Sequence, residues 1–224
     1  MEEASTSVTQ SDKVLSDEVI LNKSHTYLFV KRVLDVIASS IGLIFLSPLF
    51  LFLAILIKIE DSKGAVFFKQ TRIGKDNKEF QMYKFRSMVS NAEELLENLL
   101  EQNEVSGAMF KIKEDPRITK IGSFIRRTSI DELPQLVNVL KGDMSLVGPR
   151  PPLQREVVLY TPYQMQRLLI KPGCTGVWQV SARNNVGFEE MVEMDIEYIK
   201  KRNVFVDIKL ILKTIQIMII SKAY

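Results

Sequence analysis

The sequence predicts one helix-rich α/β domain, of the α+β kind, associated with a membrane through an N-terminal segment. Three observations predict it. At 224 residues the chain is long enough for one core of ordinary size. Residues 36–57 form a run of 22 residues without a charge in an otherwise densely charged chain. Beyond that run, a short strand-and-turn pattern gives way to helix-length amphipathic segments separated by Gly/Pro loops.

Taken in order, residues 1–25 are polar, acidic and rich in Ser and Thr, with neither a basic n-region nor a small-residue cleavage site. They are expected to be a flexible tail and not a signal peptide. Residues 26–59 carry the apolar run, flanked by Lys31-Arg32 and Lys58. As a helix the run would extend ~33 Å, enough to cross a bilayer. Ser47-Pro48 interrupts its middle, where proline removes a backbone hydrogen bond. Basic residues at both ends also place both ends on one side. A bent, re-entrant helix and a simple span both remain open on these grounds.

Residues 60–224 form the remaining domain. Residues 65–86 read as strands around a Gly74-Lys75-Asp76-Asn77 turn, with 79–86 as the second strand. Residues 90–100 read as a helix, with Ser90 and Glu93 at capping-box spacing. Helices are also expected over 124–141, 153–171 and 188–201. Residues 204–220 are apolar on most sides but interrupted by Asp207, Lys209, Lys213 and Gln216, which suits an interfacial or core helix better than a span.

Charge and composition narrow the chemistry. Residues 1–20 hold five acids against Lys13, a net −4, so the rest of the chain carries +7 of the overall +3. A basic body suits anionic membranes, phosphate ligands or nucleic acid. Nucleic acid leaves the apolar run unexplained and is not expected as a partner. One Cys (Cys174) excludes an internal disulfide, and with His25 as the sole histidine a Cys/His zinc site is unavailable. Catalysis must then rest on carboxylates, Lys, Arg, Tyr or a hard metal.

The densest motif is Arg126-Arg127-Thr128-Ser129-Ile130-Asp131-Glu132-Leu133-Pro134. Phosphoryl transfer needs a nucleophile, a divalent cation and basic groups around the moving charge. Asp131 and Glu132 can divide the first two tasks, with Arg126 or Arg127 supplying the third. A plain helix start, capped by Ser129, explains the same residues except Pro134. In Gly148-Pro149-Arg150-Pro151-Pro152, prolines stiffen a loop whose guanidinium can grip a diphosphate, or simply face solvent. Alternation puts Lys84 and Arg86 on one face of the 79–86 strand. Asp195 falls on an apolar helical stripe and needs a partner, whether a structural arginine or a ligand. The loop from Lys171 to Asn184 holds the sole Trp and Arg183, and reads either as a nucleotide-binding loop or as a turn between core elements.

Together these segments resemble the bacterial sugar transferases known as monotopic phosphoglycosyl transferases. The resemblance covers about residues 31–219. It rests on KRVLDV before a helix with a central Ser-Pro, then YKFRSM, RRTSIDELPQL, GDMSLVGPRP and PGCTGVWQVSARN, in that order. It implies a re-entrant membrane helix and a catalytic domain seated by interfacial helices on the cytoplasmic face of the bacterial inner membrane. By the same resemblance, Asp131 is the nucleophile, Glu132 binds Mg2+, and Arg150 helps bind the nucleotide sugar. Lys84, Arg126 and Asp195 match polar site positions of the family.

The implied reaction is ping-pong. Asp131 attacks a UDP-sugar, uridine monophosphate leaves, and polyprenyl (undecaprenyl) phosphate takes the phosphosugar from the aspartate. Residues 106–119 and TGVWQVSAR resemble the branch that starts capsule, exopolysaccharide or O-antigen chains with a hexose-1-phosphate. UDP-glucose or UDP-galactose is therefore the expected donor, with an N-acetylated or diacetamido sugar as the alternative. A non-catalytic membrane scaffold is the alternative from another class. Ala182 departs from the Gly common in that loop. An additional N-terminal membrane domain, carried by larger members, is not expected, and a homodimer is left open.

Overall fold

The computed structural model describes residues 24–96, 99, 112, 115–181 and 187–220. Nearly all of the expected acidic tail, most of 106–119, and Arg183 lie outside these residues.

Helix α1 spans His25–Glu60, within a residue of the expected 26–59 at either end, and Ser24 caps it by accepting from the Tyr27 amide. It is long and apolar enough to cross a membrane, yet only 11 % of its most apolar window is buried in the protein. That low value separates it from the core helix of a soluble domain. Ile44, Phe45, Leu51 and Phe52 project into the surroundings. Pro48 cannot donate to the Ile44 carbonyl one turn back. The Ser47 hydroxyl donates to that same carbonyl at 2.8 Å, so the Ser-Pro pair repairs the bond that proline removes.

Both ends of α1 are tied to the domain. Near the start, Lys31 pairs with Asp207 at 2.8 Å and Arg32 donates to the Val139 and Leu140 carbonyls at 2.6 and 2.8 Å. Asp35 accepts from the Ser145 hydroxyl and the Leu146 amide at 3.1 and 2.9 Å. At the far end, the Glu60 carboxylate receives the Lys120 and Ile121 amides at 2.7 and 3.0 Å. Leu53 and Ile57 there join Phe85 and Ile125 in a buried cluster.

The expected hairpin is present, as β1 (Phe67–Ile73) and β2 (Glu79–Phe85), paired antiparallel with Arg72 opposite Phe80 and Phe68 opposite Lys84. Asp76 and Asn77 take left-handed backbone at φ 56° and 60°, a conformation that these short polar residues tolerate best after glycine. Helix α2 (Ala92–Leu96) follows.

The helix expected over 124–141 is broken in two. Helix α3 (Lys120–Arg127) is capped by Thr119, and α4 (Gln135–Lys141) begins immediately after Pro134. Between them Ser129 is left-handed (φ 57°) with no capping bond from its side chain, and Ile130–Glu132 form one 3-10 turn. Proline is acceptable at a helix entry and costly inside, so the chain restarts its helix there. The single helix expected over 153–171 is likewise replaced by α5 (Gln154–Val157), α6 (Pro162–Met165) and a 3-10 turn (Gln166–Leu169). The cause is a Thr161 capping box with Pro162 at the first helical position.

Strands β3 (Ser145–Val147) and β4 (Gly173–Thr175) pair in parallel, and α7 (Val177–Ser181), α8 (Phe188–Lys201) and α9 (Val204–Ile220) complete the order. The last two match the sequence expectation. Val147, Val180, Val192, Ile196, Ile199 and Leu210 form the main core. Helix α9 is two-faced: Leu210 faces that core, while Phe205, Ile208, Leu212 and Ile215 are exposed beside Lys209 and Lys213. Core packing and an apolar outer face therefore coexist on one helix.

A buried polar side chain joins the hairpin to the helical layer, beside the packing of Met82 with Val139. Asn138 of α4 is fully buried; its Oδ1 accepts from the Tyr83 amide at 3.0 Å and its Nδ2 donates to the Gln81 carbonyl at 2.7 Å. The amide thus takes the place of a third strand along β2. Asn138→Ala leaves both backbone groups unpaired and is expected to lower stability by about 2 to 4 kcal/mol. Chemical unfolding of the two proteins measures this; a loss below 1 kcal/mol, roughly the worth of one net hydrogen bond, would count against the clamp.

Candidate active site

The break between α3 and α4 presents the acid pair. Ser129 turns the chain out of α3, and the 3-10 turn sets Asp131 inward at 9 % exposure while Glu132 reaches the cleft surface. Strand β2 lies alongside and delivers Lys84, whose Nζ bonds the Glu132 carboxylate at 2.6 Å. Arg150, Arg72, Gln135, Trp178 and Gln179 are among the residues that line the same cleft.

Backbone contacts make the Arg150 loop stiff. The Gly148 amide donates to the Thr175 carbonyl and the Gly173 amide to the Pro149 carbonyl, each at 2.9 Å. A Cβ on either glycine would overlap the backbone of the other segment, so this approach requires glycine on both sides. Arg150 itself lies 4.0 Å from the Glu156 carboxylate.

The two acids are held in opposite electrostatic states. Burial pushes Asp131 up to about 6; Lys84 and Arg126 counter this, while Glu132 adds to it. For Glu132, crowding within the cleft acts in the same upward direction, but the charge and hydrogen bond of Lys84, with Arg150 and Arg72, outweigh it and hold the carboxyl below its ordinary value. Although 45 % of its side chain is open to solvent, three cations surround it. A buried carboxyl beside an anion already held by cations gives two adjacent acids the opposite environments that let them take different chemical roles.

Not every expected residue arrives at the acid pair. Asp131, Glu132, Lys84 and Arg150 converge. Arg126, at the end of α3, is exposed and acts on Asp131 through its charge. Arg127 is also exposed, and no described contact joins it to the acids. Arg86 does not share a strand face with Lys84: β2 ends at Phe85, and the Arg86 guanidinium donates to the Asp61 carbonyl behind the end of α1. Asp195 is a buried structural partner, bonded to Arg167 through Nε at 2.9 Å and Nη2 at 2.7 Å. Arg167 in turn reaches the Arg150 carbonyl at 3.5 Å and the Tyr160 hydroxyl at 2.8 Å. Asp195 thus supports the site from behind.

Arg72 was not singled out from the sequence, although a signal existed. The 74–77 turn sets the hairpin register, and that register puts Arg72 on the same face as Lys84.

A family model described as "Bacterial sugar transferase" matches residues 26–221. The chain belongs to this family. Similar proteins include a galactosyl transferase, CpsE, of Streptococcus agalactiae, 47 % identical over 198 residues, which cover 88 % of this chain and 44 % of the relative. An undecaprenyl-phosphate galactose phosphotransferase of Salmonella typhimurium is 42 % identical over 221 residues, 94 % of this chain and 46 % of the relative. An N-acetylgalactosaminephosphotransferase of Aeromonas hydrophila, which acts between UDP-N-acetylgalactosamine and undecaprenyl phosphate by its name, is 41 % identical over 199 residues, 86 % of this chain and 44 % of the relative. The chain spans about half the length of these relatives.

The raised Asp131 value has a consequence for stability. In the folded state this carboxyl holds its proton to about 6, against 3.8 when unperturbed. The folded form therefore binds more protons between those values, and stability falls as pH rises through them. Asp131→Asn removes the penalty and is expected to stabilise the protein above pH 7 by up to about 3 kcal/mol, with no gain below pH 4. Thermal unfolding of both proteins across pH 4–8 tests this; a destabilised variant at every pH would contradict it.

Proposed function

We propose that this chain is a phosphoglycosyl transferase that moves a hexose-1-phosphate from a UDP-sugar to undecaprenyl phosphate, the first membrane step of polysaccharide assembly. The observation that carries the reading is a buried Asp131 next to Glu132, whose cleft also presents Lys84, Arg72 and Arg150. In the first half-reaction a carboxylate oxygen of Asp131 bonds to the sugar-bearing phosphorus, the bond from that phosphorus to the bridging oxygen breaks, and uridine monophosphate carries the electron pair away. In the second, a phosphate oxygen of the lipid attacks the same phosphorus and returns Asp131 as a carboxylate. Burial makes Asp131 poorly solvated and hence a better nucleophile once ionised, while Lys84 and Arg150 offset the charge of the diphosphate.

Glu132, with Asp131 adjacent, is the carboxylate that would hold a magnesium ion. Among the described residues no three His, Cys, Asp or Glu side chains gather as a metal cage, which suits an ion that takes most of its oxygens from substrate phosphate and water. Bound there, it would neutralise diphosphate charge.

A re-entrant α1 on the cytoplasmic face is part of the same proposal. Its support is that both ends of one 36-residue helix dock on one domain, through Tyr27 near its start and Glu60 at its end, whereas a straight helix would separate these two contacts by ~50 Å. The apolar middle of α1 and the outer face of α9 would seat the cleft where a lipid phosphate can enter without leaving the bilayer.

Galactose in the names of two relatives supports UDP-galactose as donor over UDP-glucose, and the Aeromonas relative supports an N-acetylated one. Release of uridine monophosphate from a panel of UDP-sugars, with undecaprenyl phosphate present, decides between them. Asp131→Asn is expected to abolish release while the protein stays in the membrane fraction. The donor half-reaction of the native protein should rise as pH passes about 6 and then level off, because Asp131 must lose its proton to attack. Full activity of Asp131→Asn would remove the nucleophile assignment, and no release from any donor would favour the scaffold reading.

A further inference from the structure

Arg72 is a buried cation for which the reaction above gives no particular task. It is 5 % exposed, near the end of β1, and its guanidinium lines the cleft beside Glu132 and Arg150. Its described hydrogen bonds all go to neutral groups. Nη1 donates to the Pro151 carbonyl at 3.0 Å, and Nε and Nη2 donate to Gln70 Oε1 at 3.1 and 2.7 Å.

The other cations of the cleft face carboxylates: Lys84 meets Glu132 at 2.6 Å and Arg150 lies 4.0 Å from Glu156. Among the described residues no carboxylate lies within ion-pair distance of Arg72. Burial and the neighbouring Arg150 lower its guanidinium to about 10, so it remains a cation at neutral pH. Glu156 and Glu132 attract it only through space, and a desolvated cation whose hydrogen-bond partners are all neutral is costly unless an anion completes its surroundings. Three of the five guanidinium N–H groups are used in the described bonds, leaving two for a further acceptor.

The position of Arg72 is coupled to that of Arg150. Its bond to Pro151 and the Ile73 amide bond to the Pro152 carbonyl, at 3.0 Å, fasten β1 to the loop that carries Arg150. The two guanidinium groups are thereby held across one short stretch of backbone despite their repulsion, an arrangement suited to a doubly charged ligand.

We propose that Arg72 is a substrate-binding residue that takes phosphate oxygens of the donor diphosphate together with Arg150. The inference rests on the UDP-sugar reading given above. The alternative is a purely structural brace for the Pro151-Pro152 turn.

The test uses the full chain in membrane-mimetic discs, with UDP as probe. Binding is read by calorimetry and by the fluorescence of Trp178, the sole tryptophan, which lines the same cleft. Arg72→Gln keeps a donor for Pro151 and removes the charge; Arg72→Lys keeps the charge and removes the fork. The glutamine variant is expected to bind UDP roughly 10- to 100-fold more weakly, with the lysine variant between it and the native protein. Ligand-free Tm should stay level or rise, while the increase in Tm caused by UDP is lost. A lowered ligand-free Tm with native UDP affinity would identify a brace and overturn the proposal. If the glutamine variant fails to fold, native affinity in the lysine variant overturns it equally. Failure of the native protein to bind UDP would instead bring down the donor reading, and this inference with it.

Discussion

The candidate site residues of this molecule are kept in register around one buried amide, reinforced by the Lys141–Tyr83 hydrogen bond and the packing of Met82 with Val139. Lys84 belongs to a two-stranded hairpin and Glu132 to a turn at a helix entry, and neither element could fix the other alone. A two-stranded ribbon is marginal in water, and α4 spans only Gln135–Lys141. Asn138 connects them through two hydrogen bonds to β2, of 3.0 and 2.7 Å, and receives a third constraint where its own carbonyl accepts the Gly142 amide at the end of α4. The 2.6 Å contact between Lys84 and Glu132 depends on this junction. So does the balance of charge that separates the two acids.

Attachment of α1 follows similar physics. Lys31, Arg32 and Asp35 are charged residues at the entry to an apolar helix, and each finds its partner within the domain, at Asp207, at the carbonyl end of α4 and at β3. Arg32 stands where the helix dipole of α4 concentrates negative charge. The same α4 that carries Asn138 and follows the acid pair therefore also locates the long apolar helix. Depth of the cleft relative to a lipid surface would be set by these contacts and not by the apolar residues alone, since apolar contact with lipid carries no register.

The sequence was most informative where chemistry is local. Asp131, Glu132, Lys84 and Arg150 could be picked out because charged residues near proline, or on an alternating strand, announce themselves within a few positions. The 79–85 strand, α8 and α9 were legible from periodicity for the same reason. Errors arose where a short-range rule competed with another. The expected 124–141 helix followed the apolar period and underweighted Pro134, and the expected 153–171 helix passed over Thr161-Pro162. Arg86 was assigned by alternation carried one residue past the end of β2. Asp195 showed its need for a partner but not the partner's identity, because Arg167 lies 28 positions away. The Arg72 position required hairpin register rather than strand alternation, a step of inference between two segments.

Adjacent acids are not equivalent merely because they are neighbours. Asp131 and Glu132 share a turn, yet Asp131 points into protein with Lys84 and Arg126 as its main favourable charges, while Glu132 faces Lys84, Arg150 and Arg72. Had both faced the cations, both would be stable carboxylates and poor nucleophiles. Had both been buried, their repulsion would keep one protonated. The left-handed Ser129 and the single 3-10 turn after it prevent either outcome, since the turn directs consecutive side chains to different surroundings. An uninterrupted helix through this stretch would swing both acids around one axis with no such separation of buried and cation-facing positions. The break that defeats a periodic reading of the sequence is thus the feature that gives the two carboxylates different surroundings.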